Sequence, residues 1–260
     1  MSDFVKFERD TAPGVATIRI DRPKVNAING DVLAGVLSIC EQLVDDTDTR
    51  AVVLTGGERN FAAGADITAF PDFDREAALE FSRYFNRAAL ALENLPQVTV
   101  AAINGYALGG GLELALATDF RIAATDARLG MPEILLGIIP GGGGTQRLSR
   151  LAGITLAKDL VYSGRHMTAD EALAARIISS VHEPDEVQAA AVDLAARYAG
   201  GPASLRIAKR VMLAGYHEPL DAAVEIEAQG FADTFATEDK VTGVASFMEH
   251  GPGKATFTGR

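Results

Sequence analysis

Two glutamates stand where the sequence gives them little polar company. Glu113 lies in NGYALGGGLELAL (Asn104 to Leu116), behind three consecutive glycines, and Glu133 lies in LGMPEILLGIIPGGGG (Leu129 to Gly144). A charged side chain among apolar neighbours usually has a partner or a task, and in a dry pocket a carboxyl pKa rises toward the range useful for proton transfer near neutrality. Two turns rich in small residues accompany them. One is NFAAGADI (Asn60 to Ile67), with Asp66 placed to cap whatever helix begins at Ile67. The other is the glycine stretch itself, where Gly110 presents its N–H at the positive end of the helix that follows. Two amides converging on one oxygen make an oxyanion hole, which serves any reaction that builds negative charge on a carbonyl oxygen; one donor is worth about 3 kcal/mol of barrier. The acid and base beside it then choose the reaction.

Other chemistries fit poorly. Gly109 and Gly111 open a dinucleotide fingerprint, but Leu114 holds its final glycine position, and neither glycine run is followed by the Lys-Ser/Thr of a P-loop. His166, His182, His217 and His250 are scattered, with no i, i+4 pair for a helical metal site, and read as surface or packing residues. No G-x-S-x-G elbow supports a hydrolase triad. Taken singly, Glu113 and Glu133 also read as first-turn carboxylates favoured by a helix dipole, and the glycines as turn punctuation. Their occurrence together points to a site.

The elements that must hold these residues alternate. VATIRID (Val15 to Asp21) has the period of a half-buried strand, and Asn29 to Asp46 has helical spacing. AVVLTGG (Ala51 to Gly57) and VTVAAING (Val98 to Gly105) read as strands covered on both faces, each running into glycine. Arg75 to Leu95 is a helix ended by Pro96. Strand, helix, strand argues for an α/β fold with ligand sites where strands end and helices begin. Beyond Gly153 the only strand expected is RIISSV (Arg176 to Val181), the rest reading as helices, with a soft boundary near residue 200.

The 260 residues, 48% of them hydrophobic, suffice for a substantial core. A net charge of -11, spread along the chain, argues against nucleic acid and anionic membranes as partners. The charged start MSDFVKFERD lacks the apolar stretch of a secretory signal, and no apolar run is long enough to span a membrane, so a cytoplasmic location is expected. Cys40, the sole cysteine, falls on the apolar face of its helix and reads as a buried thiol.

FAAGADI, INGYALGGGLELALATDFRIA and MPEILLGIIPGGGGTQRL resemble successive signatures of the crotonase, or enoyl-CoA hydratase/isomerase, superfamily, and RIDRPKVNAIN and FATEDKVTGVASFMEHGPGKATFTGR extend the likeness to nearly the whole chain. The resemblance implies a crotonase-like spiral of β-β-α units over residues 1–200. It further implies a helical C-terminal region, 201–260, that helps form trimers, often paired into hexamers, and helps close the site. It implies an acyl-CoA thioester as ligand, with no metal or redox cofactor because coenzyme A enters with the substrate. The amides of Ala65 and Gly110 are implied as the oxyanion hole, Ala63, Asp66 and Ile67 as lining of the coenzyme A path, and Gly141 as a donor to water. Phe231 and Phe247 match aromatic positions that close the site, sometimes from a neighbouring subunit. Glutamates at both Glu113 and Glu133 imply hydration of a trans-2-enoyl-CoA over isomerisation or a non-catalytic acyl-CoA-binding role, and the acidic balance opposes RNA binding. RPKVNAI is one residue shorter than the commoner family form, and His250 stands where many relatives have lysine near the coenzyme A phosphates.

Overall fold

The computed structural model describes residues 3–260. The chain opens with an antiparallel pair, β1 (Val5–Ala12) and β2 (Val15–Ile20), followed by α1 (Gly30–Leu43), which the Asn29 side chain caps by accepting from the Val32 amide. Next come β3 (Ala51–Thr55), a 3-10 segment (Ile67–Asp72) and α2 (Arg75–Glu93), capped by Asp74. β4 (Val98–Ile103), β5 (Tyr106–Leu108) and α3 (Gly110–Leu116) form the next turn of the spiral, and β6 (Phe120–Ala124), β7 (Arg128–Gly130) and a second 3-10 segment (Pro132–Leu136) the one after. The remainder is α4 (Gly144–Ala152), α5 (Ile154–Ser163), β8 (His166–Thr168), α6 (Ala169–Ala174), β9 (Ser180–His182), α7 (Val187–Ala199), α8 (Ser204–Gly215), α9 (Leu220–Thr234) and α10 (Glu238–His250).

Six strands make the main sheet in the order β1-β2-β3-β4-β6-β9, parallel except at β1-β2, and β5-β7-β8 make a smaller sheet beside it. Every residue of β3 and β4 is buried, as expected of strands with both faces covered. α1 packs against α2 and touches β1 and β2, and α7 packs across β2, β3, β4 and β6. Cys40 lies within the core, and burial pushes its thiol up to about 12. Among the described residues no helix is long and apolar enough to cross a membrane.

Three segments differ from the pattern read in sequence. β2, read as half-buried, has five of its six residues buried, so both of its faces are covered. RIISSV is not one strand: Ile177 and Ile178 are buried, but both amides turn back to the Ala172 carbonyl and close α6, so pairing starts only at Ser180. α1 stops at Leu43, short of Asp46, whose carboxylate instead accepts from the amides of Asp48 and Thr49 and shapes the turn into β3. The C-terminal helices α8 to α10 bury few side chains; Leu220, Phe231 and Met248 are 79%, 65% and 80% exposed in the single chain.

Candidate active site

The two turns singled out in sequence meet. Ala62 and Ala107 form a parallel bridge, and the Leu108 amide donates to the Ala62 carbonyl, so the segment after β3 runs beside β5 and the start of α3. Contact is close enough to require glycine: a Cβ on Gly111 would lie 2.1 Å from the Ala62 carbonyl oxygen. A second bridge joins Ile28 to Ala65 through the amides of Ile28 and Asp66, leaving the Ala65 amide between them outside the bridge. That nitrogen lies 3.4 Å from the position a Gly110 Cβ would take. Gly110 is the first residue of α3, where an amide has no acceptor within its own helix. Ala65 and Gly110 are therefore brought side by side.

Both glutamates reach the same place. Glu113, one turn into α3, is 2% exposed, so the surface reading of this residue does not hold. Its Oε1 accepts from the amides of Gly142 and Gly144 at 2.7 and 2.8 Å. Burial pushes its pKa up; these two amides and the positive charge of Arg147 oppose that rise by favouring the ionised form. Glu133 stands in the first turn of the second 3-10 segment, after Pro132, with Oε1 only 2.8 Å from where a Gly109 Cβ would be. Its Oε2 is buried without a hydrogen-bond partner. Burial, helped by the negative charge of Glu113, pushes Glu133 up to about 7. The two carboxyl groups thus differ in kind: one is held by donors, while the other has an oxygen that a proton would suit.

A cleft of about 1160 Å³ contains both, together with Ala63, Ala65, Asp66, Ile67, Gly110 and Gly141. Its wall includes an aromatic row in which Phe85 contacts Phe81 at 6.4 Å between ring centres, and Phe81 contacts Phe70 and Phe73 at 5.8 Å each. Asp66 caps the first 3-10 segment by accepting from Thr68, and pairs with Arg22 at 2.6 Å; the bonds from Thr68 and Arg22 hold its carboxyl below the usual range. The Gly141 carbonyl is fixed by Ser82 Oγ and Asn86 Nδ2, each at 2.7 Å. Phe231 and Phe247 are not brought to the cleft by this chain: they lie exposed on α9 and α10. His250, at the end of α10, is likewise absent from the lining. Among the described residues no cluster of metal-ligating side chains occurs.

Several residues that hold the site were not singled out in sequence. Asn26 donates to the carbonyls of Gly56 and Asn60 and accepts from the Arg22 amide, tying the RPKVNAI segment to the turn after β3. Gly142 and Gly144 lie 29 and 31 residues from the carboxylate they serve, so no local spacing announces the bond.

The family model for enoyl-CoA hydratase/isomerase matches residues 10–260. The short-chain-enoyl-CoA hydratase of Clostridium acetobutylicum is 39% identical over 238 residues, 90% of this chain and 91% of that protein. The crotonyl-CoA hydratase of Syntrophomonas wolfei is 38% identical over 90% of this chain and 92% of its own length. Among solved structures, the enoyl-CoA hydratase of Bacillus anthracis superimposes with a TM-score of 0.93 at 34% identity, covering 99% of this chain and all of that one.

Proposed function

The chain belongs to the enoyl-CoA hydratase/isomerase family, and we propose that it is an enoyl-CoA hydratase, adding water across the C2=C3 bond of a trans-2-enoyl-CoA to give a 3-hydroxyacyl-CoA. The observation that carries this reading is the meeting of Glu113 and Glu133 in one cleft, beside the adjacent turns of Ala65 and Gly110. The amides of Ala65 and Gly110 receive the thioester oxygen and stabilise the negative charge that builds on it as hydroxyl attacks C3. Glu113 takes the proton from water: burial raises its pKa and so strengthens it as a base, while the Gly142 and Gly144 amides and Arg147 oppose that rise and support the ionised form from which it acts. Glu133, with a pKa pushed up to about 7, carries a proton in much of the population at neutral pH and delivers it to C2. Water is then fully accounted for, its hydroxyl on C3 and a proton on C2. The proton gained by Glu113 and lost by Glu133 is rebalanced through solvent before the next turnover.

In the same reading Gly141 presents its amide to the water, and Ala63, Asp66 and Ile67 line the path of coenzyme A, which enters with the substrate; the addition needs no metal or redox group. The exposed apolar side chains of α8 to α10 support association with further copies of the chain, which this reading takes to be a homotrimer or a dimer of trimers working in the cytoplasm. Phe231 and Phe247 would then close a neighbour's cleft.

The direct test is Glu113→Gln. Its amide oxygen still accepts from Gly142 and Gly144, so the variant folds and binds acyl-CoA, while hydration of crotonyl-CoA falls by about 10²- to 10⁴-fold. Turnover near wild type would overturn the two-carboxylate scheme.

A further inference from the structure

We propose that Arg147 is a positioning residue for the reaction: clamped by Glu93, it fixes the Gly142–Gly144 turn that presents two amides to Glu113 and places a positive charge behind that carboxylate. The inference deepens the hydratase reading and rests on it for the role of Glu113.

The geometry is a chain of contacts running from α2 to the carboxylate. Arg147, on α4, donates from Nε to both oxygens of Glu93 at 3.2 Å and from Nη2 to Glu93 Oε2 at 2.7 Å. The fork–fork pairing fixes the plane of the guanidinium. The remaining arm, Nη1, donates to the Gly142 carbonyl at 3.1 Å. The preceding carbonyl, that of Gly141, is held by Ser82 and Asn86. With both carbonyls pinned from one side, the amides of Gly142 and Gly144 are left facing Glu113. Space allows little else, since a Cβ on Gly143 would lie 2.2 Å from Arg147 Nη1. The pair is largely withdrawn from solvent, its side chains being 13% and 28% exposed, so its charge is weakly screened.

The charged groups that bear on Glu113 come from three elements: Glu133 from the second 3-10 segment, Arg147 from α4 and, behind Arg147, Glu93 from α2. The two acidic groups oppose ionisation of Glu113, and Arg147 supports it. A scaffold residue would affect only how well the turn is held. Arg147 would also set the pH at which Glu113 becomes a base.

The experiment measures kcat/KM for crotonyl-CoA against pH in wild type, Arg147→Gln, Arg147→Lys and Glu93→Gln. Loss of the charge in Arg147→Gln moves the acidic limb up by about one pH unit and lowers kcat about tenfold or more. Arg147→Lys keeps the charge without the fork, so the limb stays in place while kcat falls. In Glu93→Gln the limb moves down, because the cation remains and its counter-charge is gone. Limbs that coincide in all four proteins would overturn the proposal, whatever the loss in kcat. A second measurement needs no turnover: infrared titration of the Glu113 carboxyl, in the Glu133→Gln background with and without Arg147→Gln, should show the same upward move on losing the arginine, and an unmoved titration also overturns the proposal. Failure of the hydratase reading is distinct, appearing as a wild type that binds crotonyl-CoA without hydrating it.

Discussion

Replacing Glu133 by glutamine should make the protein more stable and nearly inactive, with a gain that depends on pH. In the folded protein the Glu133 carboxyl is pushed from 4.5 up to about 7, by burial and by the charge of Glu113. One pKa unit corresponds to about 1.4 kcal/mol, so at high pH the ionised side chain carries a penalty of about 3 kcal/mol. Partial access to the cleft and its water reduces this to roughly 1–2 kcal/mol. The sign follows from proton binding: below pH 4.5 the carboxyl is protonated in both folded and unfolded chains and costs nothing. Between 4.5 and about 7 the unfolded chain releases its proton more readily, so wild-type stability falls, and above about 7 the loss levels off. Glutamine cannot ionise and does not incur this loss. Urea unfolding of the two proteins between pH 5.5 and 8.5 should show the advantage of Glu133→Gln growing by about 1 kcal/mol across that range, while hydration of crotonyl-CoA is reduced by about 10²-fold or more. A stability difference that does not change with pH would refute the claim that this carboxyl is displaced by its surroundings, and with it the reason for assigning it the proton.

Two further outcomes concern the scaffold. Cys40, buried with its thiol pushed up to about 12, should resist aromatic disulfide reagents in the native protein and react stoichiometrically once unfolded in urea; rapid native labelling would contradict its place in the core. Lys209 of α8 bonds Asp119 and the Gln97 carbonyl at 2.8 and 2.9 Å with its side chain 9% exposed, anchoring the helix to the ends of β4 and β6. Lys209→Met should lower stability by about 2–3 kcal/mol, because Asp119 is left without its cation, and chemical denaturation showing a loss of less than about half a kcal/mol would mean that the pair is solvated.

What the sequence revealed depended on how far each signal extended along the chain. α2 has nineteen residues of steady periodicity and a proline just past its end, and β3 and β4 are unbroken apolar runs. β1 gives no such signal: VKFERDTA is an edge strand with one buried residue, so its charges obscure the period. β6 contains Arg121, a residue type that argues against an interior strand, yet it is buried because the carbonyls of Ile177 and Thr118 accept its N–H groups at 2.6 and 2.5 Å. β5, β7, β8 and β9 have three residues each, too few for any pattern. The glutamates and small-residue turns were visible because their composition is locally odd. Their supports, Asn26, Arg147, Glu93, Ser82 and Asn86, were not, because each is an ordinary polar residue whose partner is distant in sequence.

That contrast explains why a charge sits within the apolar run of α3. A lone carboxylate there would pay several kcal/mol in lost hydration, and α3 itself offers Glu113 Oε1 no donor. The compensation arrives from Gly142 and Gly144, residues small enough to come within hydrogen-bond distance: a Cβ on Gly142 would lie 2.4 Å from the Phe85 ring and 2.6 Å from Glu113 Oε2. The same glycines that admit the main chain to Glu113 would leave the turn loose were it not pinned by Ser82, Asn86 and Arg147. Glu133 receives no equivalent at Oε2. Burial raises both carboxyls, yet their surroundings differ: Gly142, Gly144 and Arg147 oppose the rise at Glu113, whereas the charge of Glu113 adds to it at Glu133, and the proposed addition of water draws on that difference.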